Sequence, residues 1–141
     1  MTVRSELLVA RMLSLRTVFS AVAMLALVSG CSSRLDTVEV IGGRLFVYSK
    51  GAVESERDLT ADQVLNVNSW LTGHSYGWKF DAASYAPEIW ATLDVRKGQS
   101  AGLYVYDQSV VYVSGSYQRI RQSNVSETSA LKRALGLPDA G

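Results

Sequence analysis

The sequence predicts an α+β fold, in which an antiparallel sheet of four to five strands has two helices packed on one face. Two observations support this prediction. Between residues 89 and 121, apolar and polar residues alternate with a period of two, which is typical of half-buried strands. One segment before that region and one after it place apolar residues on one side of a helix and begin with capping residues. The predicted order is strand, helix, three or four strands, helix.

The first strand is predicted next to a pair of glycines. The segment 38–50 (VEVIGGRLFVYSK) holds two apolar-rich runs that flank Gly42 and Gly43. The glycine pair fits either a two-residue hairpin turn or a bulge within one strand. We expect the strand to be centred on residues 44–48.

The first helix has a complete start signal. Thr60 is suited to the N-cap and Gln63 to the third helical position, which together make a capping box. Leu59 precedes the cap and is placed to pack on Val64, while Gly73 is placed to end the helix. The expected apolar face consists of Val64, Val67 and Leu71, with Trp70 at its edge.

The alternating region divides into an antiparallel meander. Turn residues interrupt it at 97–98, 107–109 and 114–115. Strands are expected at 89–95, 102–106, 110–113 and 117–121.

The second helix is predicted near the C-terminus. Ser126 is the expected N-cap, and Gly136 and Leu137 are expected to end the helix. Lys132 and Arg133 lie near its C-terminus, where cations are favourable. The expected apolar stripe consists of Ala130, Leu131, Ala134 and Leu135.

Both helices are expected on the same sheet face, because this arrangement buries every apolar stripe. The residues expected to face the helices are Leu93, Leu103, Val105, Val111 and Val113. The opposite face then presents a candidate binding surface of Trp90, Tyr104, Tyr106 and Tyr112, with Arg96 beside it. Two alternatives remain open: cross-strand pairs on a solvated face, or a face covered by the loop at 75–87.

The first thirty residues are typical of a secretory signal. Arg4, Arg11 and Arg16 supply positive charge, and residues 17–28 (TVFSAVAMLALV) supply an apolar core. That core is shorter than the roughly 20 residues of a membrane-spanning helix. Met12 is an alternative start, and the sequence leaves the choice between Met1 and Met12 open.

The apolar core ends at Val28-Ser29-Gly30-Cys31, which resembles the lipobox of bacterial lipoproteins. The resemblance implies cleavage before Cys31 and acyl chains on that residue, and several chains anchor a protein stably. Ser32 follows the cysteine, which favours the outer membrane, facing the periplasm. The implied organisation is a signal peptide at 1–30, a lipidated tether at 31–37, a single α+β domain at 38–137 and a tail at 138–141.

Charge and cysteine content exclude several classes of protein. Without the first thirty residues, 11 basic and 12 acidic residues remain, so the net charge is 11 − 12 = −1. No basic surface for nucleic acid is expected from this balance. Cys31 is the only cysteine, so neither disulfides nor thiolate metal sites are expected. We also expect no cofactor and no bound metal.

One string looks catalytic. Residues 73–77 (GHSYG) match G-x-S-x-G, the pattern around the nucleophile of α/β-hydrolases. Here the pattern follows a helix instead of a strand, and the only histidine, His74, adjoins the serine. We interpret it as a helix-ending loop with His74 facing solvent, and we expect no enzymatic activity.

The sequence therefore predicts a non-enzymatic envelope lipoprotein, which acts as a periplasm-facing protein-binding module. An inhibitor or an immunity protein is one specific form of this hypothesis. The alternative is a structural or assembly lipoprotein of the outer membrane. The sequence fixes neither the partner nor the oligomeric state.

Overall fold

The computed structural model describes residues 33–36 and 39–138, which form a seven-stranded antiparallel sheet and two helices. The α+β class is confirmed, but the expected four to five strands are too few. The predicted signal peptide and Cys31 lie outside the described residues, as do residues 37–38 and 139–141.

The order of strands and helices along the chain matches the prediction except that it contains two additional strands. The strands are β1 (Val40–Ser49), β2 (Ala52–Asp58), β3 (Trp78–Phe80), β4 (Ile89–Val95), β5 (Gln99–Val105), β6 (Ser109–Ser114) and β7 (Tyr117–Gln122). The helices are α1 (Ala61–Gly73), between β2 and β3, and α2 (Val125–Ala134), after β7. Across the sheet the order is β2-β1-β4-β5-β6-β7-β3, so β2 and β3 are the edges.

The glycine pair of the first strand lies inside β1, directly after a bulge at Ile41, so the hairpin-turn alternative is wrong. The register of β1 against β4 shifts between Val40 and Gly42. A Cβ atom at Gly43 would collide with the backbone carbonyl oxygen of Thr92. Glycine is therefore required at position 43, where a side chain would clash with the neighbouring strand β4.

The two strands that the prediction omitted are the two edges. β2 has the sequence AVESERD and is mostly exposed, so it lacks the apolar alternation that predicts a strand. It is placed by a turn at Lys50 and Gly51, whose φ angles of 52° and 79° match a type I′ hairpin. β3 has only three residues and falls in the segment predicted as a loop.

The predicted capping box of α1 is confirmed. The Thr60 hydroxyl accepts a hydrogen bond from the Gln63 backbone N–H over 3.3 Å, and the Gln63 side chain accepts one from the Thr60 backbone N–H over 3.0 Å. The helix ends at Gly73, as expected. Its buried side chains are Val67, Trp70 and Leu71.

The N-cap of α2 is Asn124, so the prediction of Ser126 is wrong. The Asn124 side chain accepts from the Glu127 backbone N–H over 2.9 Å, and the Glu127 carboxylate accepts from the Asn124 N–H over 3.1 Å. This second capping box starts the helix at Val125, one residue before the expected cap. At the other end, Gly136 has a φ of 74° and ends the helix as predicted.

A core forms between the helices and one face of the sheet. Sheet residues Leu45, Leu93 and Leu103 belong to the same buried cluster as Val67 of α1 and Leu131 of α2. Both helices therefore pack on this face, as expected. We call the opposite sheet face the outer face.

The predicted orientation of β6 is wrong. Tyr112 pairs with Leu103 and faces the core, where it is 5% exposed and packs edge-on against Trp78 with ring centroids 6.3 Å apart. Val111 and Val113, expected in the core, lie on the outer face instead. Residues 110–113 of β6 are all apolar, so the sequence does not show which of them face the core and which face outward. Tyr112 therefore does not belong to an outer binding surface.

Candidate binding cleft

Three aromatic side chains form a row across the middle of the outer face. Phe46 of β1 pairs with Trp90 of β4, and Trp90 pairs with Tyr104 of β5. The Phe46 and Trp90 rings stack with centroids 5.2 Å apart, whereas Trp90 and Tyr104 meet edge to face at 6.0 Å. Such pairs stabilise neighbouring strands. The structure thus brings together Trp90 and Tyr104 of the predicted surface.

The segment 81–88 crosses the outer face and is held at both of its ends. The Asp81 N–H donates to the Gln118 carbonyl oxygen over 3.1 Å, and the Gln118 amide donates to the Ala83 carbonyl oxygen over 2.6 Å. At the other end, the Tyr48 N–H donates to the Glu88 carbonyl oxygen over 2.7 Å. These bonds place the segment as a wall beside the aromatic row.

Tyr85 fixes the middle of this wall. Its hydroxyl donates to the Asp81 carboxylate, which also accepts from the Ala83 N–H over 3.1 Å. The Tyr85 bond lowers the pKa of Asp81 and raises the pKa of Tyr85, because it favours a charged carboxylate and a protonated phenol. The Tyr85 ring also packs on Tyr106, with centroids 5.5 Å apart. Tyr106 is thus held beneath the segment.

A cleft of about 550 Å³ opens between this wall, the aromatic row and the β1–β2 turn. It is lined by Tyr48, Lys50, Gly51, Tyr85, Ala86, Pro87, Glu88, Trp90 and Tyr104. Tyrosine and tryptophan combine a large apolar ring with a polar atom, and are enriched where proteins bind other proteins. Lys50 and Glu88 add one charge of each sign.

Two polar atoms near the cleft are buried without a hydrogen-bond partner among the described residues, namely Trp90 Nε1 and the Tyr106 hydroxyl. Trp90 Nε1 lies above Gly102, 3.4 Å from where a Cβ would stand. Burial raises the pKa of Tyr106 to about 12, because the phenolate would lose its hydration. Most buried polar groups in proteins have a hydrogen-bond partner, so these two atoms depart from the usual pattern.

The remaining predicted residue, Arg96, does not join the cleft. It follows the far end of β4, about 20 Å from Trp90 at roughly 3.3 Å per residue. Its guanidinium donates to the Glu39 carboxylate over 2.6 Å, and both side chains are exposed. A solvated ion pair explains this residue.

Sequence reasoning missed Tyr48 and Tyr85 as parts of the site. Tyr48 continues the alternation of Phe46 along β1, so extending the outer-face pattern to this strand predicts it. Tyr85 has no such signal, because it lies in a segment without periodicity. The loop alternative for 75–87 is confirmed in part, since the C-terminal portion of that segment covers Tyr106 while Trp90 and Tyr104 still line an open cleft.

The catalytic-looking string takes a structural role. His74 Nδ1 lies 2.8 Å from the Trp70 carbonyl oxygen, and its ring stacks on the Trp70 ring at 4.2 Å. Ser75 is buried, and its carbonyl oxygen accepts from the Leu35 N–H over 2.7 Å. His74 therefore packs against α1 and is not the solvent-facing residue that we expected.

Within residues 33–36 and 39–138, no group of three or more His, Cys, Asp or Glu side chains is placed to hold a metal ion. Neither helix of that part of the chain is long and apolar enough to cross a membrane.

Comparison with known proteins finds no relative. No protein-family model matches the chain, and no curated protein or solved structure is significantly similar to it. Any functional conclusion therefore depends on the residues themselves.

Proposed function

We propose that this protein is a non-enzymatic, lipid-anchored protein of the bacterial envelope, which binds a protein partner through the outer-face cleft. The anchor is Cys31, and its support is the lipobox-like sequence that ends the apolar segment. The proposed location is the periplasmic side of the outer membrane. An inhibitor or an immunity protein remains a specific form of this function.

One observation carries the binding role. Four aromatic side chains with polar tips, Tyr48, Tyr85, Trp90 and Tyr104, converge with Pro87 on one open cleft. Aromatic residues are usually gathered in this way in a core, but here they border solvent-accessible space. An extended segment of a partner fits this chemistry, because flat rings accept its side chains and phenolic hydroxyls bond its backbone carbonyls.

The rigidity of the cleft favours binding as well. Its wall at 81–88 is fixed by the bonds of Asp81, Gln118 and Tyr48, and its floor is a central part of the sheet. A site that is already ordered loses little conformational entropy when it binds.

Photo-crosslinking in intact cells tests this proposal. A photoreactive phenylalanine analogue replaces Glu88, which lines the cleft, and in a separate strain Leu65, which is exposed on α1. We expect a discrete crosslinked protein from position 88 and none from position 65. The adduct should be lost when Tyr48→Ala and Tyr104→Ala are added.

Thermal unfolding of each variant shows whether the fold is kept. Adducts of equal yield from both positions, or an adduct unchanged by the two tyrosine substitutions in a folded variant, would contradict a role of this cleft. Acylation of Cys31 is tested separately by the mass of the intact exported protein.

A further inference from the structure

The segment 33–36 is fixed along the β3 edge of the sheet. The Ser33 N–H donates to the Trp78 carbonyl oxygen over 2.8 Å, and the Leu35 N–H donates to the Ser75 carbonyl oxygen over 2.7 Å. The Leu35 side chain belongs to the core. The structure therefore defines where the chain enters the domain.

Three large aromatic side chains are exposed around this entry point. Tyr76 is 65% exposed, Phe80 is 73% exposed and Tyr117 is 67% exposed. Phe80 pairs with Arg119, which is two residues from Tyr117, so both aromatic residues lie on the helix-bearing face. Single exposed apolar residues are ordinary, whereas several at one place mark a contact surface.

Two arginines accompany these rings. The Arg34 guanidinium lies 5.4 Å from the centroid of the Tyr76 ring. Arg119 donates to the Ser33 hydroxyl and, over 3.4 Å, to the Arg34 carbonyl oxygen. Asp36, which is exposed, adds one negative charge nearby. A hollow of about 420 Å³ lies within this region, and its lining includes Leu35, Asp36, Tyr117 and Arg119.

The chain length limits how far this region can lie from the proposed anchor. Cys31 is two residues before Ser33. Two extended residues reach at most about 7 Å. Each headgroup layer of a bilayer is itself roughly 5–7 Å thick. Acyl chains on Cys31 would therefore hold this region at the membrane interface.

We infer that the surface formed by Arg34, Tyr76, Phe80, Tyr117 and Arg119, which we call the tether-side surface, lies against the phospholipid headgroups of the membrane that holds Cys31. This inference rests on the lipid anchor of the proposed function. Aromatic rings partition to the headgroup level, and arginines attract the phosphates there.

This orientation keeps the binding cleft accessible. The cleft opens on the outer face next to β1, whereas the tether-side surface lies on the helix-bearing face at β7 and β3. The two regions are thus at opposite sides of the sheet and toward opposite edges. A domain held by its tether-side surface presents the cleft to the periplasm.

Spin labelling of the acylated protein, which begins at Cys31, tests the inference in liposomes. The liposomes contain phosphatidylethanolamine and phosphatidylglycerol, and acylated Cys31 has no thiol to react. Single labels are attached through Phe80→Cys and Tyr117→Cys, with Val53→Cys on the edge strand β2 as the control. All three positions are at least half exposed, so the fold is expected to tolerate them.

Accessibility to oxygen, which concentrates in lipid, is compared with accessibility to a water-soluble nickel chelate. We expect the oxygen-to-nickel ratio to be about threefold higher at positions 80 and 117 than at position 53, because only the first two approach the apolar layer. Ratios at either position equal to that at 53 would overturn the inference.

The mass of the same preparation separates the two proposals. A protein that carries acyl chains but shows equal ratios retains the anchor and loses the membrane-facing surface. A protein with an unmodified Cys31 loses both the anchor and the inference. Variants whose circular dichroism differs from that of the parent protein are replaced by Tyr76→Cys, which probes the same surface.

Discussion

The indole N–H of Trp70 donates a hydrogen bond to the backbone carbonyl oxygen of Glu127 over 3.1 Å and thereby joins α1 to α2. The Glu127 carboxylate in turn accepts from Arg121 of β7 over 3.0 Å and lies 3.7 Å from His74 Nε2. Four side chains thus connect both helices to the sheet beside the β3 edge. Helix-to-helix contact is fixed at this point by directional bonds as well as by apolar packing.

Trp70→Phe tests the importance of that connection. The substitution removes the hydrogen bond and part of a buried ring, so the free energy of unfolding should fall by about 2 kcal/mol. Urea denaturation followed by circular dichroism measures the change. Leu65→Ala, on the exposed side of α1, is the control and should change stability by about 0.5 kcal/mol or less. Equal effects of the two substitutions would show that the helix contact does not depend on Trp70.

Glu127→Gln tests the charge at the same place. Hydrogen bonding from Arg121 lowers the pKa of Glu127 below its ordinary 4.5. The folded protein therefore holds this proton less tightly than the unfolded chain does, and the stabilisation is present above pH 4.5 and lost as the pH falls through the folded pKa. Glutamine keeps the cap but not the ion pair, so we expect a loss of about 1 kcal/mol at pH 7.

The pH dependence of the melting temperature distinguishes this effect from a general one. The difference between the wild-type protein and Glu127→Gln should shrink as the pH is lowered below 4.5. Glu39→Gln removes the solvent-exposed ion pair to Arg96 and should cost about 0.5 kcal/mol or less. A Glu127→Gln difference that stays constant from pH 7 to pH 3 would contradict the proposed role of the charge.

Asn124→Ala and Ser126→Ala compare the observed cap of α2 with the one that the sequence favoured. Asn124 accepts the Glu127 backbone N–H, so its loss should lower the free energy of unfolding by about 1 kcal/mol. Ser126 lies within the first turn and is exposed, so its substitution should change stability by less than about 0.5 kcal/mol. Chemical denaturation of both variants measures the difference, and the reverse ranking would restore Ser126 as the cap.

The features that the sequence predicted correctly are mostly set by neighbouring residues. The capping box of Thr60 and Gln63 and the turn at Lys97 and Gly98 depend on residues next to one another in the chain. The wrong cap of α2 is an exception, because Asn124 and Ser126 are both good capping residues and only the Glu127 pairing separates them.

The features that the sequence did not predict depend on distant residues. β2 is a strand because β1 supplies its hydrogen-bond partners. Its side chains are mostly polar, so they do not predict a strand. Tyr112 faces the core because Trp78 is available there, which the apolar run of β6 does not show. Tyr85 lines the cleft from a segment without regular structure, so strand alternation could not predict it. Of the four aromatic residues in the cleft, only Trp90 and Tyr104 were predicted from the sequence.

Gly102 and Gly43 provide a final test of the described outer face and of the pairing between β1 and β4. A Cβ at Gly102 would lie 3.4 Å from Trp90 Nε1 and 3.7 Å from Val113 Cβ, which are ordinary contact distances. Because glycine in a strand costs conformational entropy, Gly102→Ala should raise the free energy of unfolding by about 0.5 kcal/mol. Gly43→Ala would force a Cβ into the Thr92 carbonyl oxygen and should lower it by about 2 kcal/mol or more.

Urea denaturation of the two alanine variants gives opposite signs if the strands are placed as described. The same substitution is made on two strands of one sheet, β1 and β5, so a general effect of removing glycine cannot produce both results. A stable Gly43→Ala protein would show that β1 and β4 are farther apart at Gly43. A destabilised Gly102→Ala protein would instead show that Trp90 lies closer to β5, which would narrow the floor of the binding cleft.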